Sequence, residues 1–143
     1  MASSEPWITL KRDAGSALAV LSDRAKELYV AERGGDRVGF VLIDMRGTLA
    51  GYIQSLYVAP QARSSGVGSV LMRFAERRIF AEQPNVFLCV SSFNESAMRF
   101  YRREGYVQVG DFQDFIIAGA SEILLRKSTG PKLGFVPPTT AIS

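Results

Sequence analysis

Histidine is absent from this chain of 143 residues, and cysteine occurs once, at Cys89. Those two gaps remove a good deal of chemistry. A triad built on a histidine base, a metal site of His and Cys ligands, Cys-X-X-Cys redox exchange and an internal disulfide are all excluded. Acid–base work therefore falls to Asp, Glu, Tyr, Lys or water. No apolar run approaches the roughly 18 residues of a membrane span, and the opening "MASSEPWITLKRD" lacks the basic and apolar regions of a secretory leader. The expectation is a cytoplasmic protein with no membrane partner. Lysine and arginine exceed the acids only by 17 to 14 and are interspersed with them. That balance suits a small anionic ligand at least as well as a nucleic acid, so no nucleic-acid partner is expected.

What is present is a composition 47% hydrophobic, over a length that ordinarily makes one domain with one core. Residues 7–22, "WITLKRDAGSALAVLS", place Leu10, Ala14, Leu18 and Leu21 on one face and predict an amphipathic helix weakened at Gly15. "LYVAER" and "RVGFVLID", split by Gly34-Gly35-Asp36, predict a hairpin. "GYIQSLYV", Gly51 to Val58, is a third strand, ended by Ala59-Pro60. From Gly66 to Ala81 the apolar set Val67, Val70, Leu71, Phe74 and Ala75 follows helical spacing, with Arg73, Glu76 and Arg77 on the polar side. "VFLCV", Val86 to Val90, reads as a central strand buried on both faces, with Cys89 as core packing.

Asn94 then stands where a cap belongs, ahead of "ESAMRFYRREG", with Gly105 as the stop. "YVQVGDF" and "EILLRK" are two further strands. The passage from Gly51 to Val90 is a strand–helix–strand crossover, which sets two parallel strands in an otherwise antiparallel sheet. The fold class is α/β of the α+β type, a single mixed, mostly antiparallel sheet with helices on both faces. One domain covers residues 1–127, a helical segment (1–27) preceding the core (28–127). Residues 128–143, with three prolines, read as a tail or arm.

Between the third strand and the following helix lies "QARSSGVGS". Gly66 and Gly68 let backbone come close to a ligand, and the N–H groups of a helix start favour a phosphate. Arg63 adds a cation; Ser64, Ser65 and Ser69 add hydroxyls. The ending of a Walker-type loop is missing, as are the third glycine and distant acid of a dinucleotide fingerprint. On its own the stretch reads equally well as a ligand-free turn.

In company it reads further. "LYVAPQARSSGVGSVLMRFAERR", followed after one strand by "VSSFNESAMRFYRREGYVQVG", resembles the two halves of the GNAT superfamily, the acetyl-CoA-dependent N-acetyltransferases. The first matches Val-X-Pro-X-X-Arg-X-X-Gly-X-Gly; the second matches an Asn ahead of a helix that contains Phe-Tyr and closes with Gly-Tyr. The resemblance covers Leu28 to Lys127. It implies that the loop Arg63, Ser64, Ser65, Gly66, Val67, Gly68 and Ser69 holds the pyrophosphate of coenzyme A. It also implies that the strand Leu56, Tyr57, Val58 splays from Val86–Val90 to admit the pantetheine arm. Asn94 would contact that arm, and Tyr101 would give a proton to the leaving thiolate while a backbone N–H near Val58 steadies the carbonyl oxygen. Acetyl-CoA is the implied cosubstrate, with no metal, and the partner is an amine acceptor, small molecule or protein.

Three features depart from the pattern. Serines occupy 64 and 65, where the family commonly has glycine and a basic or polar residue. Gln54 and Ser55 stand where many members place a glutamate, leaving Asp114, Glu122 or Glu32, or relayed water, as the base. Before Leu28 the first strand looks missing or reduced, so that one lip of the acceptor cleft is small or comes from a partner in a homodimer. Arg99, Arg102 and Arg103 read as a solvated face, with a contact from one of them to the 3′-phosphate of coenzyme A as the alternative. Phe115-Ile116-Ile117 fits an acceptor loop, an oligomer surface or an edge strand. A coenzyme A-binding module without turnover is the alternative to an enzyme.

Overall fold

The computed structural model describes residues 7–10 and 26–138. Seven strands make one sheet: β1 (Trp7–Leu10), β2 (Lys26–Arg33), β3 (Asp36–Asp44), β4 (Tyr52–Val58), β5 (Asn85–Ser91), β6 (Val107–Gln113) and β7 (Ser121–Ser128). Their order is β1-β2-β3-β4-β5-β7-β6, and every neighbouring pair is antiparallel except β4 with β5. The mixed, mostly antiparallel sheet is as the sequence predicts. Two described helices, α1 (Val67–Phe80) and α2 (Glu95–Arg103), follow β4 and β5, and a 3-10 turn over Pro60–Ala62 leads into α1.

The helix predicted over 7–22 fails in its first four residues. Trp7–Leu10 pairs with β2, from Trp7 opposite Glu32 to Leu10 opposite Tyr29. The first strand is therefore reduced to four residues, not lost. The helical spacing misled because β1 is an edge element whose partner, β2, lies beyond the reach of a local pattern. The rest of the predicted helix, and with it any helix on the second face, lies outside the described residues.

The core forms where α1 lies on the sheet. Val67, Leu71, Met72, Ala75 and Ile79 are fully buried against Val41, Ile43, Ile53, Val86 and Leu88. Ala97, Met98, Phe100 and Tyr101 bring α2 onto the same cluster. Along β5 the alternation is strict from Val86: Val86, Leu88 and Val90 are buried, whereas Phe87, Cys89 and Ser91 are half-buried. The expected two-sided burial thus holds on the α1 side alone, and Cys89 belongs to the opposite face.

Glu76 corrects a second expectation. It is 8% exposed, in the middle of the apolar face of α1. Its carboxylate accepts from the Tyr106 hydroxyl at 2.9 Å and from Lys127 Nζ at 3.0 Å, and Lys127 also donates to the Glu104 carbonyl at 2.9 Å. A buried acid persists only with such partners, and these are 30 and 51 residues away. Burial, then the Glu76 charge, push the Tyr106 hydroxyl far above its ordinary pKa, so it remains a donor. The network ties α1 to the end of α2 and to β7. Because Glu76→Ala removes the one carboxylate that Lys127 and Tyr106 share, leaving Lys127 only the Glu104 carbonyl, we expect it to lower unfolding free energy by about 3 kcal/mol in urea titrations; a loss below about 1 kcal/mol would show that the network is peripheral.

Candidate active site

A break in the sheet makes the site. The parallel pairing of β4 with β5 runs only through Tyr52 opposite Phe87 and Ile53 opposite Leu88. In the β3–β4 ladder Leu42 faces Ser55 while Ile43 faces Ile53, so Gln54 is an extra residue bulged out of β4. A bulge bends its strand and adds twist, and the strands part beyond it. The phase of β4 shifts at the same point. Ala59 donates to Val38 on the β3 side at 2.8 Å, so Leu56 and Val58, in the alternate phase, turn their N–H and C=O groups toward the gap. Arg63 Nε takes the Val58 carbonyl at 3.1 Å, which fastens the loop to the strand end. The Val58 N–H and both backbone groups of Leu56 remain for a ligand.

A cleft of about 710 Å³ opens there on the α1 side. Its walls are Leu56 and Val58 from β4, Arg63, Ser64, Gly66, Gly68 and Ser69 from the loop, and Asn94, Ala97 and Tyr101 from one stripe of α2 and its cap. These include nine of the residues expected from the sequence. Three others fall elsewhere. Val67 is in the core, Tyr57 stacks on Phe40 at 5.5 Å across the far face, and the Ser65 hydroxyl donates to the Ala62 carbonyl and accepts from Arg33 at 3.1 Å. Ser96, Ala97 and Phe100 join the wall without having been singled out as site residues, and Arg103 joins it from the arginine face of α2. The register of α2 from Asn94 held that signal, since residues three and four apart share a face. Of the lining residues only Arg63 and Arg103 are charged, and both are cations.

The loop meets the needs of an anion. Gly66, at φ 88°, leads into α1 with no side-chain cap and no acid in the first turn. The first N–H with a helical acceptor is that of Val70, bonded to the Gly66 carbonyl at 3.1 Å; those of Val67 to Ser69 precede it and stay open. A Cβ on Gly66 would meet nothing within 4 Å, so the open space above the loop is free for a ligand. At Gly68 a Cβ would come within 3.3 Å of the Phe100 ring, so its small size lets α2 close on the loop. The residues present therefore fit a pyrophosphate.

On α2, Asn94 Oδ1 accepts from the Ala97 N–H at 3.1 Å, which leaves the amide nitrogen for a ligand. Tyr101 is half-buried, edge-on to Phe100 at 5.1 Å and to Tyr106 at 6.1 Å. Among the described residues nothing bonds its hydroxyl, and burial pushes that hydroxyl up to about 12. It is a protonated donor at the cleft wall.

With this geometry the comparisons agree. The model of the Acetyltransferase (GNAT) family matches residues 2–106. The chain belongs to the GNAT acetyltransferase family. It is 33% identical over 78 residues to the peptidyl-lysine N-acetyltransferase YiaC of Escherichia coli, covering 54% of this chain and 48% of that protein. It is 38% identical over 98 residues to the aminoalkylphosphonate N-acetyltransferase of Salmonella typhimurium, covering 63% and 62%. The chain thus spans about half to under two thirds of the length of these relatives. A GNAT-family crystal structure from Desulfovibrio desulfuricans superposes with a TM-score of 0.75 at 17% identity, covering 87% of this chain and 99% of that one. Such a likeness bears on the fold.

The remaining acids separate clearly. Glu32 lies on β2, two strands from the gap. Asp114 is in the β6–β7 loop, where its carboxylate accepts from the Gly119 N–H at 2.6 Å. Phe115, Ile116 and Ile117 belong to that loop and are exposed, which rules out the edge-strand reading. Glu122 is half-buried at the start of β7. Position 64 is where the resemblance leads one to expect glycine, and the Ser64 backbone is left-handed, φ 64°, the conformation that glycine supplies without strain. We expect Ser64→Gly to leave stability within about 0.5 kcal/mol of wild type, and Ser64→Val to lower it by about 1–2 kcal/mol, both read by thermal unfolding.

Proposed function

We propose that the protein is an N-acetyltransferase that moves acetyl from acetyl-CoA to a primary amine by direct attack, with Tyr101 as general acid. The observation that carries this reading is the coincidence of three elements on one cleft: unpaired β4 backbone, an open helix start with a cation beside it, and a protonated tyrosine. In it the loop from Arg63 to Ser69 holds the pyrophosphate by backbone N–H groups, as an anion at a helix start requires. Leu56 and Val58 pair with the pantetheine amides like a missing strand. The amide nitrogen of Asn94 holds the same arm. Acetyl-CoA supplies the activated acyl group, and the chain orients it, excludes water and offers the Val58 N–H to the carbonyl oxygen. Tyr101 returns a proton to the departing thiolate.

The two curated relatives support the acceptor class, since their names specify a peptidyl-lysine and an aminoalkylphosphonate, both amines. Calorimetry with acetyl-CoA, followed by thiol release over a panel of primary amines, tests the reading. Tyr101→Phe is expected to keep acetyl-CoA affinity within about threefold while lowering kcat about 100-fold. Because the hydroxyl stays protonated up to about pH 12, the wild-type rate should show no loss from its ionisation between pH 7 and 10. Tight binding with no transfer to any amine would favour the binding-module alternative instead.

A further inference from the structure

The face of the sheet opposite the cleft carries, close to the gap between β4 and β5, a group that the cleft does not use. Ile123 and Leu125 of β7 are buried on the α1 side, so Glu122 projects to the other. There it lies directly across from Ser91 of β5, whose hydroxyl donates to its carboxylate at 2.5 Å. Cys89 is two residues before Ser91 on the same face, and Tyr52 of β4, paired with Phe87 one rung before the pairing ends, lies next to Cys89. From β6, Phe112 faces Glu122 in register, and its ring sits 5.5 Å from that of Phe115.

Glu122 differs from the ion-paired acids among the described residues and, like Glu104 with the Ser69 hydroxyl, is met by a serine. Glu76 is paired with Lys127, and Glu27 with Arg78 at 2.7 Å. Among the described residues no lysine or arginine pairs with Glu122; it holds one serine hydroxyl. The serine hydroxyl replaces part of the solvation that a half-buried carboxylate gives up, and a cation would complete it. The titratable groups facing it are Tyr52 and Cys89. Burial, then the Cys89 thiol and the Glu122 charge, raise the Tyr52 hydroxyl far above its ordinary pKa, so Tyr52 adds no competing charge.

From this juxtaposition we infer that Glu122, steadied by Ser91, is the ammonium-binding and proton-accepting group of the acceptor site, which takes a primary ammonium on an alkyl stem along Phe112 and Phe115. The assignment rests on the acetyltransferase reading and names its missing base. With the pantetheine arm filling the gap from the α1 side, the amine would approach the acyl carbon from the opposite face, where Glu122 stands among the described residues. The ammonium gives one proton to Glu122; the freed lone pair forms the C–N bond, and collapse breaks the C–S bond. Tyr101 protonates the thiolate and is reprotonated by the second nitrogen proton through water, while the proton on Glu122 leaves to solvent. The sum is one amide, one thiol and one proton.

Glu122→Gln keeps the shape and an acceptor for Ser91 but removes the charge and the base. With 1,4-diaminobutane and an Nα-capped lysine amide as probes, kcat/KM at pH 7 should fall about 100-fold. The loss should shrink to under about 10-fold at pH 9.5, where free amine is on the order of several hundred times more abundant. Acetyl-CoA affinity should stay within about twofold of wild type, since no cofactor contact is touched. A fall below about threefold, an equal loss at both pH values, or lost acetyl-CoA affinity would each overturn the assignment while leaving wild-type turnover, and the acetyltransferase reading, intact. A wild type that releases no thiol with any amine would overturn both.

Discussion

Two parallel strands that hydrogen-bond for only two residues decide what this molecule can hold. Had β4 and β5 stayed paired to Val58, the backbone of Leu56 and Val58 would be satisfied within the sheet and no arm could enter. The bulge at Gln54 is the local cause, because it bends β4 and changes which residues face the gap. The cost of open backbone at the centre of a sheet is tolerable only where water or a ligand replaces the lost partner. Firm pairing elsewhere makes the break a defined feature: β5 and β7 match over seven rungs, from Asn85–Ser128 to Ser91–Glu122.

Around that break the helices serve as anchors. α1 is held by its apolar face and by Glu76, whose two partners come from the end of α2 and from β7. Ser69 Oγ donates to the Glu104 carboxylate at 2.8 Å, joining the start of α1 to the end of α2. Both connections fix the loop Arg63–Ser69 relative to Asn94 and Tyr101. On the proposed reading their effect on a ligand is one of geometry: the groups that would grip it are already in place, so little ordering remains to be done on binding.

Much of this was legible in the residues. The strands after Lys26, both described helices, the Asn94 cap and the glycine loop announce themselves through local pattern, with boundaries within a residue or two. What was hidden depends on partners far along the chain. Trp7–Leu10 follows a helical spacing and becomes a strand because β2 offers an edge. Glu76 fits a polar helix face and is buried because Tyr106 and Lys127 arrive to meet it. The bulge is equally silent, since nothing in "YIQSLYV" distinguishes a shifted phase from a regular one. Ser64 and Ser65 look alike in sequence, yet one lines the cleft in a left-handed conformation and the other turns its hydroxyl back into the loop.

The opened strands also separate charge. On the α1 side the charged lining groups are Arg63 and Arg103; on the opposite face, one strand beyond the gap, stands the Glu122 carboxylate. On the proposed reading an anionic cosubstrate and a cationic acceptor are drawn to different faces of the sheet and meet at the gap. Tyrosines flank it on both sides, Tyr101 in the cleft and Tyr52 across the sheet, each kept protonated by burial. Neither adds negative charge where a thiolate leaves or an ammonium arrives. On the proposed reading, direct attack without a histidine follows from this division, because the proton donor and the proton acceptor occupy opposite faces and do not neutralise one another.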